Sequence, residues 1–136
     1  MDMKIELIAV PVTDIDRAKE FYTRIGFNAD HDQRVNESLR FVQLTPPGSA
    51  CSICIGEGIT EMVPGTQNAI QMVVSNAQEA LDHLTSVGAA AQGVDNQPWG
   101  LFVYFADPDG NQWALQELPD YARLDAWREE HGVNNF

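Results

Sequence analysis

The chain has 136 residues, 44% hydrophobic and 21% charged, enough for one domain that buries its own core. Twenty acidic against eight basic residues give a net charge of −12, a surface that repels phosphate backbones and speaks against nucleic acid as a partner. No apolar run approaches the roughly 18 residues of a membrane span, and the opening MDMKIELIAV lacks a signal-peptide layout, so no membrane partner is expected and the predicted location is the cytoplasm.

In chain order, IELIAVPV (5–12) reads as an apolar strand. It runs into a helix capped by Thr13 or Asp14, on which Ile15, Ala18, Phe21, Tyr22 and Ile25 follow helical spacing and Gly26 is the natural stop. Shorter strands follow near 27–32, 38–45 and 50–56. Within the last of these, CSIC (51–54) has the C-x-x-C spacing, but on a strand a separation of three sends the two sulfurs to opposite faces. Two free thiols are therefore expected rather than a zinc or redox pair. Residues 57–67, with Pro64 and Gly65, form a linker. The second half opens with the strand AIQMVV (69–74) and a cap at Ser75 or Asn76. Its helix carries Ala77, Ala80, Leu81, Leu84 and Val87 and ends at Gly88. Strands near 89–94, 100–106 and 111–118 follow, the last two joined by the turn DPDGN (107–111). The tail 121–132 can form a short helix with Leu124 and Trp127 on one side.

One offset relates the halves. Gly26 and Gly88, Gly48 and Gly110, Val12 and Val74, and Ala18 and Ala80 each lie 62 residues apart. The module is βαβββ, twice: 4–56 and 68–118, joined by 57–67 and followed by a tail, 119–136, within a single domain of 1–136. One such module leaves a sheet face uncovered, because its helix shields only one side. The predicted fold class is α+β, two tandem modules joined as a curved half-open barrel with helices outside and a cleft within.

Paired βαβββ modules, the string PVTDIDRAKEFYTRIGF and the later FADPDGNQWALQE resemble the vicinal oxygen chelate superfamily. That group includes glyoxalase I, extradiol dioxygenases, fosfomycin-resistance enzymes and bleomycin-resistance proteins. The resemblance implies a divalent metal held by up to four inward side chains. Its spacing, seven residues before the V-x-D aspartate and three after the DPDGN asparagine, leads to Leu7 and Ala114, with Ala69 and Ser52 as their repeat mates. None of these four is a competent metal ligand. No metal and no cofactor is therefore expected. His31, His83 and His131 do not have spacing that converges on the cleft.

Strand alternation places Leu7, Ala9, Ser52, Cys54, Ala69, Gln71, Ala114 and Gln116 on the inner face, with Phe102 and Tyr104 on the strand before DPDGN. The resemblance to fosfomycin-resistance enzymes implies a substrate contact at Tyr104. The partner strand is expected to offer Arg40 and Val42, and Trp99 to form the rim. Small residues at 9, 52, 69 and 114 predict an incompletely filled interior. Glu57 and Glu117, at strand ends, are expected to be solvated. No nucleophile–base set, phosphate loop or inward carboxylate pair assigns a catalytic residue. The expected function is binding of a small hydrophobic or aromatic molecule; the resemblance also allows a metal-dependent lyase, isomerase or dioxygenase, or a metal-independent enzyme using Tyr104 and nearby amides. A homodimer is expected from the resemblance.

Overall fold

The computed structural model describes residues 1–132, for 121–124 the backbone alone. The expectation for Leu124 and that for the end of the tail, 133–136, lie outside the described residues. The chain divides into two units: the first holds 1–68 and 106–112, the second 69–105 and the described chain from 113 on.

The first unit contains β1 (Leu7–Ala9), α1 (Ile15–Ile25), β2 (Asn28–Asn36), β3 (Leu39–Thr45) and β4 (Ser52–Glu57), in a sheet of order β1-β4-β3-β2. β1 runs parallel to β4, with Leu7 opposite Ser52 and Ala9 opposite Cys54, and the other pairs are antiparallel. α1 starts because the Asp14 carboxylate accepts the Arg17 backbone N–H, and it stops at Gly26, whose positive φ of 126° suits a residue without a Cβ. Its buried stripe of Ile15, Ala18, Phe21, Tyr22 and Ile25 lies on the side of the sheet that carries Val42, Leu44, Ile53 and Ile55. β2 is longer than 27–32, and all nine of its residues are exposed. It is an edge strand held by its hydrogen bonds to β3, with no apolar alternation to announce it.

The turn at 107–111 belongs to this first unit. The buried Tyr22 hydroxyl donates to Asp107 Oδ2 at 2.7 Å, and Asn111 Nδ2 donates to Asp107 Oδ2 at 2.7 Å and to the Pro11 carbonyl at 2.8 Å. Asn111 Oδ1 accepts the Gln67 N–H at 3.1 Å, and Asp109 Oδ1 accepts from the Thr13 hydroxyl at 2.6 Å.

The second unit contains β5 (Ile70–Val74), α2 (Ala77–Ser86), β6 (Ala91–Gln97), β7 (Gly100–Ala106), β8 (Gln112–Glu117) and α3 (Tyr121–His131), with β8 entering from Trp113 on. Its sheet has the order β5-β8-β7-β6, with β5 parallel to β8. Asn76 caps α2 by accepting the Glu79 N–H, 62 residues after the Asp14 cap. Glu117, expected to be solvated, instead accepts the Ala77 N–H at 2.9 Å, which marks the odd-numbered side of β8 as the helix side. Trp113 and Leu115 lie on that side with Val103 and Phe105, and the Phe105 and Trp113 rings are parallel at 6.0 Å. Glu57, the other carboxylate expected to be solvated, is exposed as expected and pairs at the surface with Arg34 at 2.7 Å. Among the described residues no helix is long and apolar enough to cross a membrane.

The offset of 62 holds for the helices but not for the later strands. Val42 and Leu44 on the helix side of β3 correspond to Val103 and Phe105 on β7, an offset of 61. The starts of β4 and β8, Ser52 and Gln112, differ by 60. An offset one residue short exchanges the faces of a strand.

Candidate functional site

That exchange corrects two expected positions. Arg40 and Val42 lie 62 residues before Phe102 and Tyr104, yet they face α1. The Arg40 guanidinium binds Asp16 of α1 at 2.8 Å and Asp32 of β2 at 2.9 Å and 3.0 Å. The Asp32 bonds first, then Asp16, hold its charge and push its pKa up, while Arg40 and then Lys19 hold the Asp32 carboxyl well below the usual carboxylate range. Phe41 and Gln43 occupy the helix-free face instead, opposite Gly56 and Cys54.

On the helix-free face of the first sheet, Leu7, Ala9, Ser52 and Cys54 come together as the parallel register requires. Ser52 is buried and spent. Its hydroxyl lies 2.6 Å from Thr45 Oγ1 and 3.3 Å from Gln43 Nε2. Thr45 in turn donates to Asp30, so the proton order runs from the Gln43 amide through Ser52 and Thr45 to the Asp30 carboxylate. Asn28 Nδ2 also donates to Asp30 Oδ1 at 2.7 Å, and the bonds from Thr45 first and Asn28 second lower the Asp30 pKa. Cys54 is buried, and burial pushes its thiol up, away from nucleophilic thiolate; Cys51 is half-buried, and both are free.

The face of the second sheet turned away from α2, helix-free in that sense, is richer. The Phe102 and Tyr104 rings lie parallel, 6° apart in plane and 6.2 Å between centroids; Phe102 is 6% exposed and Tyr104 39%. Beside them Tyr104 donates its hydroxyl proton to Asp95 Oδ2 at 2.8 Å, and Gln97 Nε2 donates to Asp95 Oδ1 at 3.0 Å. The bond to Asp95, with burial adding to it, pushes the phenol's pKa up. Toward the parallel edge, Gln71 Nε2 donates to Gln116 Oε1 at 2.6 Å and Gln116 Nε2 donates to the Trp99 carbonyl at 2.8 Å. The carbonyl has only lone pairs, so it fixes which way both amides point. Ala114 sits opposite Gln71 and Trp99 is exposed, whereas Ala69 lies one residue before β5, exposed.

Sequence reasoning missed Phe41 and Gln43, whose signal was the alternation of β3 counted from its own buried residues. It also missed Asp95 and Gln97. A bulge between Gly93 and Asp95 shifts the register and brings Asp95 opposite Phe102.

At the four positions where the resemblance implies ligands, the side chains offer a divalent metal no donor set. Leu7, Ala69 and Ala114 carry no donor atom, Ser52 is committed to its neighbours, and among the described residues no three His, Cys, Asp or Glu side chains gather as a metal site.

Comparison with known proteins places these features. The model of the Glyoxalase/Bleomycin resistance protein/Dioxygenase superfamily matches residues 4–115. The uncharacterized protein YetH of Bacillus subtilis (strain 168) is 28% identical over 122 residues, covering 86% of this chain and 100% of that protein. Among solved structures, TnmS3, an antibiotic binding protein from Streptomyces sp. CB03234, is 30% identical with a TM-score of 0.79, over 87% of this chain and 98% of its own. A glyoxalase/bleomycin resistance protein from the same organism is 32% identical with a TM-score of 0.74, over 83% and 99%.

Proposed function

Because the chain belongs to the Glyoxalase/Bleomycin resistance protein/Dioxygenase superfamily, we propose that it is a binding member of that family. It takes a small ring-bearing organic molecule against the helix-free face of its second sheet, without a resident metal. The observation that carries the reading is the parallel Phe102–Tyr104 pair, with Asp95 and Gln97 beside it and the Gln71 and Gln116 amides at the other end of the same sheet. Parallel rings attract another ring by stacking, and a few hydrogen bonds then orient it. The likeness to TnmS3, an antibiotic binding protein, points in the same direction, but a fold of many chemistries needs its function argued from the site, and the rings carry that argument. The ligand-contact set is Gln71, Trp99, Phe102, Tyr104 and Gln116 on the second sheet, and Leu7, Ala9, Ser52 and Cys54 gather separately on the first. The reading extends to a homodimer in the cytoplasm, checked by light scattering and cell fractionation.

Two measurements test it. Calorimetric titration with flat bicyclic and tricyclic compounds should give one site per chain that Tyr104→Ala weakens about tenfold, the loss of one aromatic contact. Dialysis against Mn2+, Zn2+ and Ni2+ followed by metal analysis should leave less than stoichiometric metal. Stoichiometric uptake of one ion, or ring binding untouched by Tyr104→Ala, overturns the reading.

A further inference from the structure

Resting on that binding role, we propose that Asp95 and Tyr104 are the specificity-determining pair of the second sheet's helix-free face, admitting a ring compound that offers a hydrogen-bond donor and refusing one that is anionic.

The argument is proton bookkeeping. A tyrosine hydroxyl has one hydrogen, and Tyr104 commits it to Asp95 Oδ2 at 2.8 Å. What Tyr104 has left is its oxygen lone pairs. Asp95 is an acceptor at both oxygens; Gln97 Nε2 and the Tyr104 hydroxyl use part of its capacity and leave the rest as lone pairs. The pair beside the rings can therefore accept but not donate. At the other end of the face, the Trp99 carbonyl turns Gln116 and Gln71 so that Gln71 Oε1 points away from its partner and carries no hydrogen bond among the described residues. Each Nε2 has a second hydrogen beyond these bonds, so that end both accepts and donates and discriminates less than the Asp95–Tyr104 pair.

Charge acts in the same direction. Among the side chains of β5 to β8 on this side, Asp95 is the one ionised group, because Glu117 lies on the helix side at the start of α2. An anion set beside the rings would meet a carboxylate and lone pairs, with no cation from these strands. A hydroxyl or amine hydrogen meets two acceptors, one of them charged.

Three naphthalenes of one shape separate the possibilities: 2,6-dihydroxynaphthalene, which donates; 2,6-dimethoxynaphthalene, which only accepts; and naphthalene-2,6-dicarboxylate, which is anionic. Each is titrated calorimetrically at neutral pH, in low salt and in about 1 M salt, where the general charge of −12 is screened within roughly 3 Å. The dihydroxy compound should bind at least about tenfold tighter than the dimethoxy one, one charge-assisted hydrogen bond's worth, and the dicarboxylate should not compete even in high salt. In Asp95→Asn the dihydroxy advantage should fall to about threefold or less, because the new amide offers donors as well as an acceptor. Equal binding of the donor and acceptor-only compounds, or dicarboxylate binding in high salt, overturns the donor preference and leaves the binding role standing. Failure of all three to bind overturns both. If Asp95→Asn does not fold, the ratios on the parent protein decide alone.

Discussion

Asn111 is where the structure makes its sharpest quantitative demand. The residue is fully buried, and its amide serves three partners at once: Oδ1 accepts the Gln67 N–H at 3.1 Å, and Nδ2 donates to the Pro11 carbonyl at 2.8 Å and to Asp107 at 2.7 Å. Asn111→Ala removes all three bonds and leaves buried partners without them. At about 1 kcal/mol for each bond, with further cost for the groups left dry, the loss is about 3–5 kcal/mol. That is a large share of the roughly 5–15 kcal/mol that holds a domain folded. Asn111→Asp discriminates better, because it changes no volume. It turns a donor into an acceptor facing a carbonyl and a carboxylate, so at pH 8 it should cost at least as much as the alanine variant. The introduced carboxyl, crowded by a like charge, holds its proton to higher pH when folded than when unfolded. A folded pKa raised in this way contributes stability at low pH that is lost as pH rises through it. The deficit of Asn111→Asp should therefore shrink by about 1 kcal/mol or more between pH 8 and pH 4.5, while that of Asn111→Ala changes little. Urea unfolding followed by circular dichroism at the two pH values measures both. An Asn111→Asp variant within about 0.5 kcal/mol of the parent at pH 8 would refute the bonding scheme.

Three further outcomes follow from the packing. Asp32 is held ionised by Arg40 and Lys19, so its carboxylate contributes stability above its unfolded pKa, near 4, and loses it as pH falls below; the gap in thermal midpoint between Asp32→Asn and the parent should narrow from pH 7 to pH 3, and a widening gap would count against the pairing. A Cβ on Gly56 would lie 1.9 Å from the Arg40 carbonyl oxygen, a backbone atom that cannot swing away, so Gly56→Ala should cost more than about 3 kcal/mol in urea unfolding, and a near-neutral result would show that β3 and β4 do not approach as described. Timed labelling with an aromatic disulfide reagent should modify the half-buried Cys51 at least tenfold faster, roughly, than buried Cys54, whose raised pKa leaves little thiolate; equal native rates would contradict the burial order.

How much of this was legible in the sequence depended on where the apolar residues lie. α1 and α2 were plain because each has a cap residue, a 3.6-residue stripe and a glycine at or just past its end, all local signals. The two caps at Asp14 and Asn76 also keep the repeat offset intact. β2 was only half visible, because an edge strand exposed on both faces has no period-two pattern to read. Arg40 was misplaced for a different reason: the repeat loses one residue by β7, and a strand's faces alternate every residue, so an error of one is a complete error of side. Asp95 was invisible for a related cause. Simple alternation from Tyr104's partner Gln92 puts Asp95 on the helix side, and only the bulge after Gly93 returns it to the rings.

These failures and successes sort by what each residue does. The residues that carry the family resemblance, Pro11, Thr13, Tyr22, Asp107, Asp109 and Asn111, bond to one another, fastening the 107–111 turn beside the start of α1. Such a knot requires particular residue types in particular places, and its short strings can be read without coordinates. It touches neither helix-free face, so it speaks for the fold and is silent about chemistry. The features from which binding is argued obey the opposite rule. Phe102 beside Tyr104 follows from alternation within β7, but Tyr104 on Asp95 and Gln71 on Gln116 are pairings between strands, each contingent on register. A shift of one residue in β6 would separate Asp95 from Tyr104 without altering any signature string. Ligand preference can therefore diverge between relatives that share every fold motif, and register on the second sheet is the place to look for the difference.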